Sequence, residues 1–246
     1  MARFSKPRTT SLTTIAVMSL SLIAASSTLA SAQTETQAEI LTQASETVLP
    51  PAPVLSPYTL SEDQLAVLET DVPVLDVWAG ATNNRVVEVF GAIDIDATPE
   101  QIWSIMKNCD AQLKIISNMK KCSVTKQGPN AGWDERLQVL SIGRFLHSVK
   151  SRFRSDYTPY REIKITRTGG DLSILDGLWN LSLTQNGQTR VTYRARLKPK
   201  LPVPRKIMRK GTRKDMPEIL TNLRDQAEAL HQSEKTAQDV HERATP

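Results

Sequence analysis

Between Leu201 and Leu230 the chain encodes a helix with one dry side and one wet side. Met208, Thr212, Met216, Ile219, Leu223, Ala227 and Leu230 recur at steps of three and four, so a 3.6-residue period places them on one stripe that must be covered. Lys210, Arg213, Lys214, Glu218, Arg224, Asp225 and Glu228 fall on the opposite side. Pro217 lacks the donor that would reach Arg213. A kink or a restart is expected there, with Asp215 as N-cap and Glu218 as its capping-box partner.

The segments before this helix have the pattern of a sheet able to cover the stripe. From Arg85 the period is two: Val87, Val89, Gly91, Ile93, Ile95 and Ala97 share one face, while Glu88, Asp94 and Asp96 lie on the other. Thr98-Pro99-Glu100-Gln101 then opens a helix with proline at its first position, and Ile102, Trp103, Ile105 and Met106 form its apolar side. Further strands are separated by Gly128-Pro129-Asn130, Thr158-Pro159, Gly169-Gly170 and Asn186-Gly187, all turn chemistry. Their hairpin connections describe an antiparallel meander. Phe145, Val149 and Phe153 alternate with Lys150, Arg152 and Arg154. In the last strand Val191, Tyr193, Ala195 and Leu197 oppose Arg190, Arg194 and Arg196, so one face reads as core and the other as arginine-rich.

Residues 1–32 have the form of a secretory leader: Arg3, Lys6 and Arg8, an apolar run from Leu12 to Ala25, and Ala30-Ser31-Ala32 as a cleavage site before Gln33. Cleavage near Ala32-Gln33 would deliver a periplasmic or secreted protein. The leader carries three of the 31 basic residues and no acidic one, leaving 28 Lys and Arg against 26 Asp and Glu. The remaining charge is uneven. Residues 33–84 hold eight acidic and no basic residues, and the chain from Arg85 holds 28 basic against 18 acidic. Export and sparse aromatic interleaving argue against a nucleic-acid partner. Residues 33–57, with Pro50, Pro51, Pro53 and Pro57, read as a disordered acidic tether. Residues 58–232 form the expected domain and 233–246 a disordered tail. Ser61 and Gln64 make a capping box for a short helix. Cys109 and Cys122 are the two cysteines, with twelve residues between them. In an oxidising compartment they read as a disulfide that stabilises the fold by about 3 kcal/mol. Two thiols and scattered His147, His231 and His241 give no metal-ligand spacing.

Four stretches carry a resemblance to a known family: LSEDQLAVL; IDATPEQIWSIMKNCD at Ile95–Asp110; LDGLWNLSLTQNGQTRVTYRARLKPKLPVPR at Leu175–Arg205; and KDMPEILTNLRDQAE in the last helix. From about Tyr58 to Leu230 the chain resembles the START-like or SRPBCC superfamily, in its polyketide cyclase/dehydrase and coenzyme-Q-binding branch. The resemblance implies an α+β helix-grip fold, a curved antiparallel sheet of about seven strands around a long C-terminal helix with an apolar cavity between them. Cys109 and Cys122 depart from the family pattern. The segment between them is either the flexible lip of the cavity or a pinned one.

No nucleophile with its base, no paired carboxylates and no phosphate loop is legible in the chain. His147, on the inward register with Ser151, and Glu135, sharing a register with Trp133 and Leu137, are the weak candidates for acid–base work, since desolvation would move their pKa. Trp103, Leu137, Val139, Phe153, Trp179, Leu181, Tyr193, Met208, Met216 and Ile219 are the candidate ligand-binding residues, in competition with a plain core role. Lys198, Lys200, Arg205, Lys206, Arg209, Lys210, Arg213 and Lys214 form a basic run that would suit an anionic membrane or partner, or remain a solvated helix face. The expectation is a monomeric, exported binding protein without cofactor or metal that holds a lipid-like or isoprenoid-type ligand. A cyclase/dehydratase-type enzyme and an envelope protein docking through its basic face are the alternatives.

Overall fold

The computed structural model describes residues 55–79, 86–141 and 148–244, apart from the side chains of Arg205 and Ala244. The leader, the tether up to residue 54 and His147 lie outside the described residues. The helices are α1 (Glu62–Leu68), α2 (Pro99–Lys107), α3 (Cys109–Ile115) and α4 (Arg205–Ala244). The strands are β1 (Val74–Ala79), β2 (Val87–Ile95), β3 (Met119–Gln127), β4 (Trp133–Leu140), β5 (Val149–Thr158), β6 (Glu162–Gly170), β7 (Leu172–Leu183) and β8 (Thr189–Pro199). They form one eight-stranded sheet in the order β1-β2-β8-β7-β6-β5-β4-β3, with every pair antiparallel.

The expected meander accounts for β3 to β8. The exception is the passage from β2 to β3, where α2 and α3 carry the chain to the far edge so that β8 returns beside β2. Register shifts interrupt β3–β4, β5–β6 and β7–β8, and such bulges bend strands and raise their twist, which curves the sheet around α4. Both short helices start as the residues dictate. Ser61 with Gln64 and Thr98 with Gln101 form complete capping boxes, and Pro99 occupies the first turn of α2. The edge strand β3 exposes Lys120, Lys121 and Lys126, charges that discourage pairing with another sheet.

The main core joins Val87, Val89, Ile93 and Ile95 of β2 with Val191 and Ala195 of β8 and with Met216, Leu220, Leu223 and Ala227 of α4. A β-carbon on Gly91 would lie 3.0 Å from Leu220 Cδ1, so glycine lets α4 settle close on β2. Leu220 is fully buried and belongs at the centre of the stripe although the step count passed it by. The other face of β2 is covered too. Phe90 and Ala92 pack with Leu68, Val74, Tyr58 and Leu60, and Tyr58 stacks on Phe90 at 3.8 Å between centroids.

Helix α4 runs 40 residues with Pro217 in its interior, so the expected restart does not occur. Asp215 lies inside the helix rather than capping one, and its carboxylate accepts from Asn118 Nδ2 at 3.2 Å. Packing on β1, β2, α2 and α3 outweighs the roughly 3 kcal/mol that an interior proline costs. The helix also continues to Ala244, which replaces the tail expected from residue 233.

Candidate functional site

Because α4 lies closest to β1, β2, α2 and α3, it stands off from the rest of the sheet. A cavity of about 1000 Å³ fills the space. One part of its wall is apolar: Phe153, Ile163, Ile165, Trp179, Tyr193 and Leu197 from the sheet face Met208, Met216, Ile219 and Leu223 of α4. Trp179 and Tyr193 stack at 4.1 Å between centroids. Tyr193 is half-buried, and desolvation by the surrounding wall pushes its hydroxyl up to about 12. The other part is polar, with Ser151, Ser155, Tyr157, Gln138 and Arg136 from β4 and β5 and with Gln112 and Asn118 from α3 and the turn after it.

Arg136 and Asp134 are both buried, at 3 % and 4 % exposure, and form a two-point ion pair: Arg136 Nε donates to Asp134 Oδ1 and Nη2 to Oδ2, each at 2.9 Å. The same guanidinium donates to the Lys107 carbonyl at 2.8 Å and to the Met106 carbonyl at 3.4 Å, so it also caps the end of α2. Tyr157 closes the network by donating to Asp134 Oδ2 at 2.6 Å. Burial lowers the affinity of Arg136 for its proton, but Asp134 outweighs it and the pKa lies above the ordinary value. Burial likewise drives the Tyr157 hydroxyl well above the usual tyrosine range. At neutral pH the network is a fixed charge pair with a neutral phenol.

Six of the ten candidate ligand residues line this cavity: Phe153, Trp179, Tyr193, Met208, Met216 and Ile219. Trp103 and Leu181 are buried in the main core instead, Trp103 with its ring edge-on to Tyr157 at 5.7 Å. Leu137 and Val139 point the other way. In β4 the inward register is Asp134, Arg136, Gln138 and Leu140, one residue out of step with the expected one. The expectation chose the more apolar register, yet the inward one carries an ion pair that neutralises itself. Trp133 stays outside, with the Arg154 guanidinium 4.2 Å from its ring centroid. Glu135 is outside as well, 3.5 Å from Lys126 Nζ, and cannot serve as an acid or base in the cavity. The residues that sequence reasoning missed are Asp134, Arg136, Tyr157, Gln138 and Gln112. The spacing Asp134-x-Arg136 places two opposite charges on one strand face, and that was the available signal.

Cys109 and Cys122 are bonded, with Cα atoms 5.3 Å apart, and tie the first turn of α3 to β3. Gln112, Ile115, Ile116, Ser117, Asn118 and Lys120 line the cavity and all lie between the two cysteines. This wall is therefore pinned. Gln112 reinforces it, accepting from Gln138 Nε2 at 2.7 Å and donating to the Met106 carbonyl at 2.5 Å. On the convex face, by contrast, the arginines of β8 are neutralised: Arg190 binds Asp94 through two bonds of 2.7 Å, Arg194 pairs with Glu88 and Arg196 with Asp176.

Solved structures share this architecture. A START superfamily protein from Mycobacterium smegmatis superposes with a TM-score of 0.51 at 16% identity, over 58% of this chain and 98% of that one. The lipid transfer and protein localization domain of human StarD13 gives 0.53 at 13% identity, over 64% and 85%. The Zhui aromatase/cyclase from a Streptomyces species gives 0.50 at 12%, over 58% and 94%. At these identities the likeness is one of fold. A search of curated proteins finds no match. The family model described as polyketide cyclase / dehydrase and lipid transport matches residues 95–224, more than half of the chain, and the chain belongs to that family.

Proposed function

We propose that this protein is a non-catalytic carrier that holds a lipid-like or isoprenoid-type molecule between α4 and the sheet and works outside the cytoplasm. The cavity carries this reading. Its volume of about 1000 Å³ stands at the upper end of the 300 to 1,000 Å³ that roughly drug-sized or larger apolar guests occupy. Methionines 208 and 216 supply an adaptable wall. The leader sequence and the Cys109–Cys122 bond support an oxidising compartment.

The cyclase/dehydratase alternative has less support. General acid–base work at neutral pH needs a group that titrates near it; Arg136, Tyr157 and Tyr193 are all held far above, which leaves Asp215, a half-buried lining carboxyl whose pKa burial raises, as its one candidate among the described residues. Native mass spectrometry of the protein purified from its own envelope is the test. A co-purifying mass in the lipid range, displaced by a fluorescent fatty-acid probe, is the expected result. A bare chain that also fails to take up the probe would overturn the proposal.

A further inference from the structure

Side chains that line the cavity and are also exposed mark its mouth. Leu201 is 71% exposed and Ile207 49% exposed, yet both line the cavity. Leu201 stands in the turn from β8 into α4 and Ile207 in the first turn of α4. Lys210 and Lys214 of α4 and Lys120 of β3, all exposed, border the same opening. Lys206, Lys210, Arg213 and Lys214 recur at steps of three and four, so they share one exposed stripe beside Ile207.

The cations gathered beside this mouth are not held by ion pairs. The convex-face arginines have carboxylate partners, whereas among the described residues none of Lys200, Lys206, Lys210, Arg213 and Lys214 forms a salt bridge. Not all of the basic run takes part. Arg209 turns inward toward the Val77 carbonyl, and Lys198 shares the outward register of Arg194 and Arg196. Two acids, Asp171 and Glu218, also border the opening; the Asp171 carboxylate is engaged by the Lys150 backbone N–H at 2.8 Å.

We propose that this rim docks on an anionic lipid bilayer and that the ligand crosses Leu201 and Ile207 on its way between bilayer and cavity. Two apolar side chains beside a stripe of cations match the boundary between headgroups and acyl chains, because lysine stems can lie in the apolar layer while their ammonium groups reach the phosphates. An acidic protein would satisfy the charge but would cover the opening that an apolar guest needs. The wall from Gln112 to Lys120 is pinned by the Cys109–Cys122 bond, which leaves the side of Leu201 and Ile207 free to part for exchange. The passage of ligand rests on the carrier reading; the docking does not.

Flotation with vesicles of zwitterionic lipid, alone or doped with phosphatidylglycerol, tests the docking. The protein should float only with the anionic vesicles and be released by salt, as exposed charges are screened beyond roughly 10 Å at 0.1 M. A basic residue near such a surface contributes roughly fivefold in affinity, so Lys206→Glu with Arg213→Glu should weaken vesicle binding by about a hundredfold or more. Neither residue lines the cavity, and uptake of the fluorescent fatty acid in vesicle-free solution should stay unchanged. Leu201→Asp with Ile207→Asp should slow transfer of that probe from protein to anionic vesicles. Equal flotation with both vesicle types, or none with either, overturns the proposal and assigns the rim to another partner. Anionic flotation by a protein that takes up no probe would keep the docking surface and refute the carrier reading instead.

Discussion

Arg136 answers at once to the Asp134 carboxylate, the Tyr157 hydroxyl and the two carbonyls that end α2. Replacing it with methionine would leave Asp134 ionised and buried without its partner, and breaking such a pair costs about 3 to 5 kcal/mol. Urea unfolding should show a loss of that size for Arg136→Met and a partial recovery in Arg136→Met with Asp134→Leu, in which no charge is stranded; a single variant as stable as the parent would contradict the network. Asp215 makes the opposite kind of contribution. Burial, helped by the nearby Glu218, raises its pKa against the pull of Lys214, so the fold favours its protonated form. The stability that this lends is present below the unfolded value of 3.8 and is lost as pH rises through the higher folded value. Asp215→Asn should therefore melt higher than the parent at pH 7, with the gap closing toward pH 3; a gap that is constant over that range would mean that titration is not its cause.

At the scale of elements, the disulfide and α4 each hold one wall of the cavity. The bonded cysteines are separated by 13 in sequence, and removing a crosslink of that span costs about 3 kcal/mol in the chain-entropy model. The double change Cys109→Ser with Cys122→Ser should lower stability by roughly that amount. It should also release bound fluorescent lipid faster in stopped-flow, because the freed segment from Gln112 to Lys120 is cavity wall. Unchanged release with lowered stability would reduce the crosslink to a staple. Pro217 tests the other wall. It withholds a hydrogen bond inside a continuous helix, so Pro217→Ala should raise stability by about 1 to 3 kcal/mol, read as a higher urea midpoint.

For the whole molecule the question is how one helix can both hold the fold together and leave room for a guest. Adjacent residues divide the work. Ile219 lines the cavity, while Leu220 is fully buried against the sheet beside Gly91. Leu220→Ala should cost about 2 to 5 kcal/mol, the range for a truncated core leucine. Ile219→Trp grows into empty space and should cost less than the 1 to 3 kcal/mol that is roughly usual for overpacking, yet it should abolish lipid uptake. Thermal melts beside a fluorescent-lipid titration separate the two. If Ile219→Trp proves as destabilising as Leu220→Ala, the helix packs solidly on the sheet and the cavity is no binding site.

Local periodicity and turn chemistry were enough to specify the strands, the capping boxes of α1 and α2 and the dry stripe of α4, since each depends on residues a few positions apart. The inner faces of β5 and β8 were equally legible, for in both the apolar register was the buried one. Three things were settled by contacts far apart in the chain. The inward register of β4 depended on Asp134 meeting Arg136 beneath the end of α2, which makes a polar face the dry one. The second cover over β2 depended on Tyr58 and α1 folding back across Phe90. The unbroken path of α4 through Pro217 depended on its packing against β1, β2, α2 and α3. Alternation in a sequence says that a strand has two different faces; the partners that tertiary structure brings to each face decide which one is buried.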